Sequence, residues 1–559
     1  MSLIVKQVSS MEKIRSCGMG NPTEIRKMTV LKGQTFSYQI AIESSNNSEI
    51  TIDIISPLKE YVKLYSVKNV IMDLAAYTDN EELFPVPDDD YITKEPGMMP
   101  DMLLPGEYEG NMYRFHTEAG AIWVTVKLPE DIKAGEYPIT IKLTYSDYIK
   151  GFRKTSFDAE KTLTIDVINE IMPKQSTTFS QWFHTDCIAD VHNVPIYSEE
   201  HWDLIDKYMA IASEVGMNMI LTPIITPPLD TAEGIIRPCV QLVKITKEND
   251  KYSFDFTLLK RWVKTALKNN FEYFEMSHLF SQWGLKYAPN IKVWENGVES
   301  YKFGWHISSR SPEYADFLNQ FLPALIEFCK AEGIKDKCVF HISDEPKEAH
   351  IDNYKYAHDT IKNLIDGCPT LDALSDYSFY EKGLINTPVT ANDKIVPFLE
   401  NKVPDQWVYY CCCNYKVVGN RFLSMASYRN RILGLQIYKY NIKGFLQWGF
   451  NFYNSQLSRK KINPYLTTSC DKAFPSGDPF SVYPVNNGVV PSLRAIVFKE
   501  ALDDVEICKT LEKYIGREKV IEMIDKAAGM NVTFAEYPRN NDYIPTLMEE
   551  MKKLIKKHI

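Results

Sequence analysis

No apolar run of the length needed to cross a membrane, about 18 residues, occurs anywhere in this chain, so no membrane insertion is expected. Dense basic blocks are missing as well. Apart from Lys552-Lys553 and Lys556-Lys557, Lys and Arg are dispersed and the net charge is −10, which argues against a nucleic-acid partner. GxGxxG, Walker A and GxSxG patterns are absent, removing support for dinucleotide, P-loop and α/β-hydrolase chemistry. The HExxH zinc pattern is absent too. Glu345 and His350 are five apart, and His341 and His350 have no evident third ligand, so neither a metal nor a cofactor is expected. Met1-Ser-Leu-Ile-Val-Lys-Gln lacks the apolar core of a secretory signal, and a cytoplasmic protein is expected.

What the chain does contain is a globular composition of 45% hydrophobic and 24% charged residues over 559 positions, enough for two or three domains. Eleven cysteines, an odd number without a pairing pattern, read as buried thiols in a reducing compartment. Three are consecutive, Cys411, Cys412 and Cys413; on an extended strand they would alternate between faces and could not converge on one metal. The 33 Tyr, 27 Phe and 9 Trp exceed what a core alone requires, and flat rings also stack on the apolar faces of sugars.

Residues 35–43, 50–55, 121–127, 139–145 and 163–168 alternate polar and apolar positions, predicting an N-terminal antiparallel β-sandwich over 1–172. A Pro- and Met-rich stretch between Phe84 and Tyr113 reads as a long loop, functional or docked on another domain. From Thr177 the rhythm becomes strand, helix, strand. Candidate strands at 179–183, 218–222, 273–277, 338–342, 371–374, 407–411, 444–448 and 480–483 predict a (β/α)8 TIM-like barrel over 173–515. Residues 516–559 read as a helical extension packed on that barrel.

The most informative segment is Cys338-Val-Phe-His-Ile-Ser-Asp-Glu-Pro346: a short apolar strand that ends on two adjacent acids. Side chains at the carboxyl ends of barrel strands face the substrate cleft, making Asp344 and Glu345 catalytic candidates. The competing reading is that Ser343 or Asp344 caps the next helix, with Pro346 in its first turn. Other predicted strand ends supply Trp182, His184, His278, Asn451 and Asp478 as candidates for hydroxyl recognition, a constellation that points to carbohydrate. Neighbours on one strand end are poorly placed to flank a sugar from opposite faces, as paired glycosidase carboxylates do. One can protonate the leaving oxygen while the other steers a 2-acetamido group, whose carbonyl oxygen is then the nucleophile.

With His341-Ile-Ser-Asp-Glu-Pro, the chain carries Gly444-Phe-Leu-Gln-Trp448, Gly477-Asp-Pro-Phe-Ser-Val-Tyr-Pro484, Pro491-Ser-Leu-Arg494 with acidic positions from Glu500 to Glu506, and Pro100-Asp-Met-Leu-Leu-Pro105. In this ordered set it resembles glycoside hydrolase family 123, the β-N-acetylgalactosaminidases, and its clostridial member closely. The resemblance implies a β-sandwich followed by a barrel. It also implies retaining release of terminal, non-reducing β-linked GalNAc, including that of glycosphingolipid oligosaccharides, through an oxazoline. Glu345 is then the general acid/base, Asp344 orients the acetamido group, Trp448 walls the sugar pocket and Tyr415 donates to the acetamido oxygen. Rival expectations are a hexosaminidase preferring GlcNAc and a non-catalytic carbohydrate-binding protein; the oligomeric state is not legible.

Overall fold

The computed structural model describes residues 3–44, 48–77, 88, 90–109, 112–115, 118–149 and 153–559. The first part of the chain forms two five-stranded sheets. One runs Ile4–Ser9, Thr35–Glu43, Ala119–Lys127, Val62–Met72, Gly97–Pro105, with every neighbour antiparallel. The other runs Lys27–Lys32, Arg153–Ile171, Gly135–Ile149, Ser48–Ile55, Met112–Phe115, antiparallel except for its first pair. Alternation along Thr35–Glu43 explains the layering. Phe36, Tyr38, Ile40 and Ile42 share one face and join Ile122, Val124, Ile139, Ile141, Leu163 and Ile165 in a core between the sheets.

The Pro-rich stretch departs from its expectation as a loop. Residues 78–87, 89 and 110–111 lie outside the described residues, but Gly97–Pro105 is the edge strand of the first sheet. An edge position tolerates Pro100 and Pro105, which donate no ladder hydrogen bond. This strand does dock elsewhere: Met102 forms an antiparallel bridge with Ser492, far along the chain.

After Ile171 eight strands pair in parallel, beside a smaller mixed sheet of Lys244–Glu248, Lys251–Asp255, Ile291–Glu295 and Val298–Phe303. Five strands, Thr178–Gln181, Gly444–Gln447, Trp407–Tyr409, Thr387–Ala391 and Leu371–Ala373, form one sheet. Met219–Thr222, Tyr273–Met276 and Cys338–Phe340 form another. Their edges meet twice: Phe340 bridges Thr370 in parallel, and the Asn218 N–H donates to Phe179 O at 3.1 Å. The eight strands thus make a barrel-like ring from two sheets rather than one continuous ladder, with helices such as Glu199–Glu214, Thr257–Lys268, Pro312–Ala331, Ile351–Ile361 and Ser427–Lys439 between them.

Two expected strands require correction. The sixth in chain order is Thr387–Ala391, which the sequence hides because Pro388 reads as a breaker. Of residues 480–483, Val482 and Tyr483 belong instead to an antiparallel hairpin of Val482–Val485 and Gly488–Pro491, and Phe480 makes an isolated antiparallel bridge with Asn451. The acid pair still follows the fourth strand. Gly444 explains one motif glycine: a Cβ there would lie 2.2 Å from the Trp407 ring of the adjacent strand. Helices Arg517–Ala528 and Tyr543–His558 close the chain, and the latter packs on both the helix Leu493–Ile515 and strand Lys27–Lys32.

The remaining quoted motifs meet at the joint between the parts. Arg494 donates to both carboxylate oxygens of Asp101 at 2.8 Å, the Tyr483 hydroxyl donates to the same carboxylate at 2.6 Å, and Arg494 Nη1 reaches Gly477 O at 2.6 Å. Asp101 and Arg494 are both fully enclosed. The acidic run does similar work: Arg431 bonds Asp504 and Glu500, Glu500 accepts from Ser10, and Glu506 accepts from the Ser176 N–H.

Candidate active site

Strand Cys338–Phe340 is short because the N–H groups of Ile342 and Ser343 turn from the ladder to the Asp372 side chain. Asp372 of the next strand accepts from the Ile342 N–H at 2.9 Å and from Tyr354 Oη at 2.6 Å, while Ser343 Oγ donates to Ser281 O at 2.9 Å. Neither Ser343 nor Asp344 caps a helix. The next helical turn, Glu348–His350, starts after Lys347, so the capping reading is overturned. Instead the Asp344 carbonyl accepts from the Trp283 N–H at 3.0 Å and the Glu345 N–H donates to Ala373 O at 3.0 Å.

Consecutive residues on an extended strand face opposite ways. Glu345 breaks that rule with φ 43°, in the left-handed region, and the turn lets both Asp344 and Glu345 line one cavity of about 580 Å³. That volume lies within the usual range for small-molecule sites, roughly 300–1,000 Å³. Trp182, Trp448, Trp283 and Phe474 give it aromatic walls, and Asp230, Lys347, Tyr409 and Gln456 add polar groups. Tyr409 Oη donates to Glu345 Oε1 at 2.7 Å.

Beneath the pair lies a buried charge relay of fixed geometry. His341 donates to Glu275 at 2.5 Å and to Asp372 at 3.2 Å. Burial alone would depress its pKa, but these two carboxylates raise it to about 9, so His341 is an imidazolium. Glu275 also accepts from Trp182 Nε1 at 2.7 Å and from Ser180 Oγ at 2.5 Å, fixing the indole in the cavity wall. His278 stacks on His341 at 4.1 Å between ring centroids; burial and the adjacent cation push its pKa well down, leaving it neutral. Burial, then the Glu345 charge, pushes the Asp344 carboxyl well above the ordinary range, with His341 opposing. Burial also raises Glu345, opposed by the Tyr409 hydrogen bond.

Of the residues singled out from sequence, Asp344, Glu345, Trp182 and Trp448 come together around this cavity. Asp478 is enclosed behind it, accepting from Trp448 Nε1 at 2.9 Å and so setting the indole plane; burial raises its pKa to about 7. His184 and Asn451 are also enclosed and bond each other through the backbone, Asn451 Oδ1 taking the His184 N–H at 2.8 Å and Nδ2 donating to His184 O at 3.0 Å. His184 Nε2 then reaches Trp448 O at 2.9 Å. His278 belongs to the floor. Tyr415 lies apart from the cavity lining, in an apolar cluster with Phe422, Met425, Tyr77 and Tyr91. These four enclosed residues support the site, and Tyr415 does not border it. Sequence reasoning passed over Asp230, Lys347, Gln456, Phe474 and, most consequentially, Tyr409, which bonds Glu345. The position of Tyr409 as the last residue of its strand was the available signal.

The cysteines correct another expectation. Strand Trp407–Tyr409 ends before them, and Asn414 N–H donates to Cys411 O at 3.1 Å, closing a turn. The three sulfurs therefore converge, all within 4.8 Å of one another, on the cavity wall. All eleven cysteines are free; six are buried, while Cys413 is exposed.

No curated protein sequence matches. A structure from Clostridium perfringens, a family 123 glycoside hydrolase described in terms of glycolipid glycan hydrolysis, matches 100% of this chain and 98% of its own with a TM-score of 0.72. Identity is only 15%, so the expected closeness to the clostridial member does not hold: what is shared is the fold. A family 5 mannosidase from Rhizomucor miehei covers 62% of this chain and 94% of its own at 11% identity and a TM-score of 0.31. The family model described as the glycoside hydrolase 123 catalytic domain matches residues 182–511, from cavity-wall Trp182 into the helix that carries Arg494. The chain belongs to glycoside hydrolase family 123.

Proposed function

We propose that this chain is a retaining exo-β-N-acetylgalactosaminidase that removes terminal β-linked GalNAc by substrate-assisted catalysis. The observation that carries the reading is the neighbouring pair Asp344 and Glu345 in one aromatic-walled cavity, with Glu345 held by Tyr409. Glu345 protonates the glycosidic oxygen. Asp344 accepts the acetamido N–H while the acetamido carbonyl oxygen attacks the anomeric carbon, forming an oxazoline. Water then opens the oxazoline with Glu345 as base, and the two displacements preserve the β configuration.

Proton placement follows from the site's electrostatics. Burial raises both carboxyls, and the Glu345 charge raises Asp344 further, so the neighbouring acids hold a proton more readily than free ones. A substrate N–H donated to Asp344 stabilises its charged form; the resulting carboxylate in turn favours protonated Glu345. Substrate binding thus favours the proton on the residue that must deliver it. His341, held cationic beneath, stabilises the Asp344 charge as the oxazolinium forms. The relative of known structure is described as acting on glycolipid glycans, and glycosphingolipid oligosaccharides are the proposed natural class. Exposed Trp283 at the rim offers a face for the sugar beyond the cleaved bond.

Chromogenic β-GalNAc, β-GlcNAc and β-galactoside substrates test the reading together. GalNAc should be cleaved fastest and the galactoside, lacking the acetamido group, not at all. Preference for GlcNAc would change the sugar and keep the mechanism; efficient galactoside cleavage would reject substrate assistance.

A further inference from the structure

Cys411, Cys412 and Cys413 take no part in the hydrolytic reading, yet they form the tightest cluster of metal-ligating groups on the cavity wall. Cys412 Sγ and Cys413 Sγ are 3.8 Å apart and all three sulfurs lie within 4.8 Å of one another. A tetrahedral ion with metal–sulfur bonds of about 2.3 Å holds its sulfurs about 3.8 Å apart. The turn that gathers them is pinned from several sides. Asn414 Oδ1 accepts from the Cys411 N–H at 2.8 Å, Asn420 Nδ2 donates to Cys411 O at 2.9 Å, and Asn414 Nδ2 donates to Asp393 at 2.6 Å. Little rearrangement is then needed to close on an ion.

Access distinguishes this trio from other candidates. Cys329 and Cys338 are also 3.8 Å apart but buried. His278, His341 and Asp372 converge too, but both nitrogens of His341 already face carboxylates. Cys413 is exposed, its neighbours are half-buried and all three line the cavity, which leaves an entry path for an ion. Three thiolates are a soft donor set, which selects d10 ions over magnesium or calcium.

We infer that Cys411, Cys412 and Cys413 form a site for one thiophilic divalent cation, such as Zn²⁺ or Cd²⁺, in the wall of the cavity that holds Asp344 and Glu345. The site is independent of which glycoside the enzyme cleaves. Because each thiol gives up its proton on binding, affinity rises with pH.

Cadmium titration of the full-length chain, kept reduced with a phosphine, provides the test through the ultraviolet thiolate-to-cadmium charge-transfer band. The band should saturate at one equivalent, with a midpoint that moves to lower cadmium as pH rises. Cys413→Ser, at an exposed position, should weaken binding by at least roughly tenfold; Cys411→Ser/Cys412→Ser/Cys413→Ser should abolish it, and Cys338→Ser should leave it intact. Circular dichroism of each variant separates lost binding from lost fold. Absence of a saturable band, or a band unchanged in folded Cys413→Ser, would overturn the site.

Discussion

At Glu345 the backbone adopts φ 43°, a conformation that costs a non-glycine residue about 1–3 kcal/mol and persists where surrounding contacts enforce it. The Glu345 N–H on Ala373 O, the Trp283 N–H on Asp344 O and the Tyr409 hydroxyl on the carboxylate supply that enforcement. Glu345→Gln keeps the shape and removes the proton, so turnover of a β-GalNAc glycoside with a poor leaving group should fall by about 10²–10⁴-fold. A near-normal initial rate would remove Glu345 from the role of acid. Tyr409→Phe tests the electrostatics more finely. The hydroxyl stabilises ionised Glu345 and so lowers its pKa; without it the pKa rises, and the protonated acid survives to higher pH. The basic limb of kcat/KM should therefore shift upward, and a limb that stays put or moves down would contradict this geometry.

Among the elements, edge strand Gly97–Pro105 has the most consequence outside the site. Its Asp101 meets Arg494 and Tyr483 in an enclosed cluster linking the sandwich to the hydrolase part. Asp101→Ala leaves the guanidinium buried without its anion, and denaturant unfolding should show a loss of about 3–5 kcal/mol. A loss below about 1 kcal/mol, the scale of an exposed pair, would mean the cluster does not join the parts. The sequence made the strand's docking legible but not its secondary structure, because prolines that exclude a central strand are permitted at an edge. Pro388 hid the interior strand Thr387–Ala391 differently, since it stands at the start of that strand, where a proline is tolerated. The acid pair was legible because an apolar strand ending on two carboxylates is a local pattern. The enclosed placement of His184, Asn451 and Asp478 was not, since it depends on whether each side chain turns into the cavity or to partners behind it. Nor was the convergence of the cysteines, which required knowing that the strand stops at Tyr409.

For the whole molecule, the ring of eight parallel strands brings residues far apart in sequence, from Trp182 to Trp448, around one cavity, while the sandwich is tied to the helix Leu493–Ile515 through Asp101 and Ser10 and to the C-terminal helix through Thr29. A chain at 15% identity to the clostridial structure shares its fold across the full length. The central claim is that Asp344 and Glu345 use the substrate's acetamido group to cleave terminal β-GalNAc with retention. Proton NMR of p-nitrophenyl β-GalNAc hydrolysis, followed from the first minutes before mutarotation, tests it directly. The β anomer of GalNAc should appear first, with the α anomer growing in later; α-GalNAc as the first product, or no hydrolysis of the β-GalNAc bond, would contradict the account.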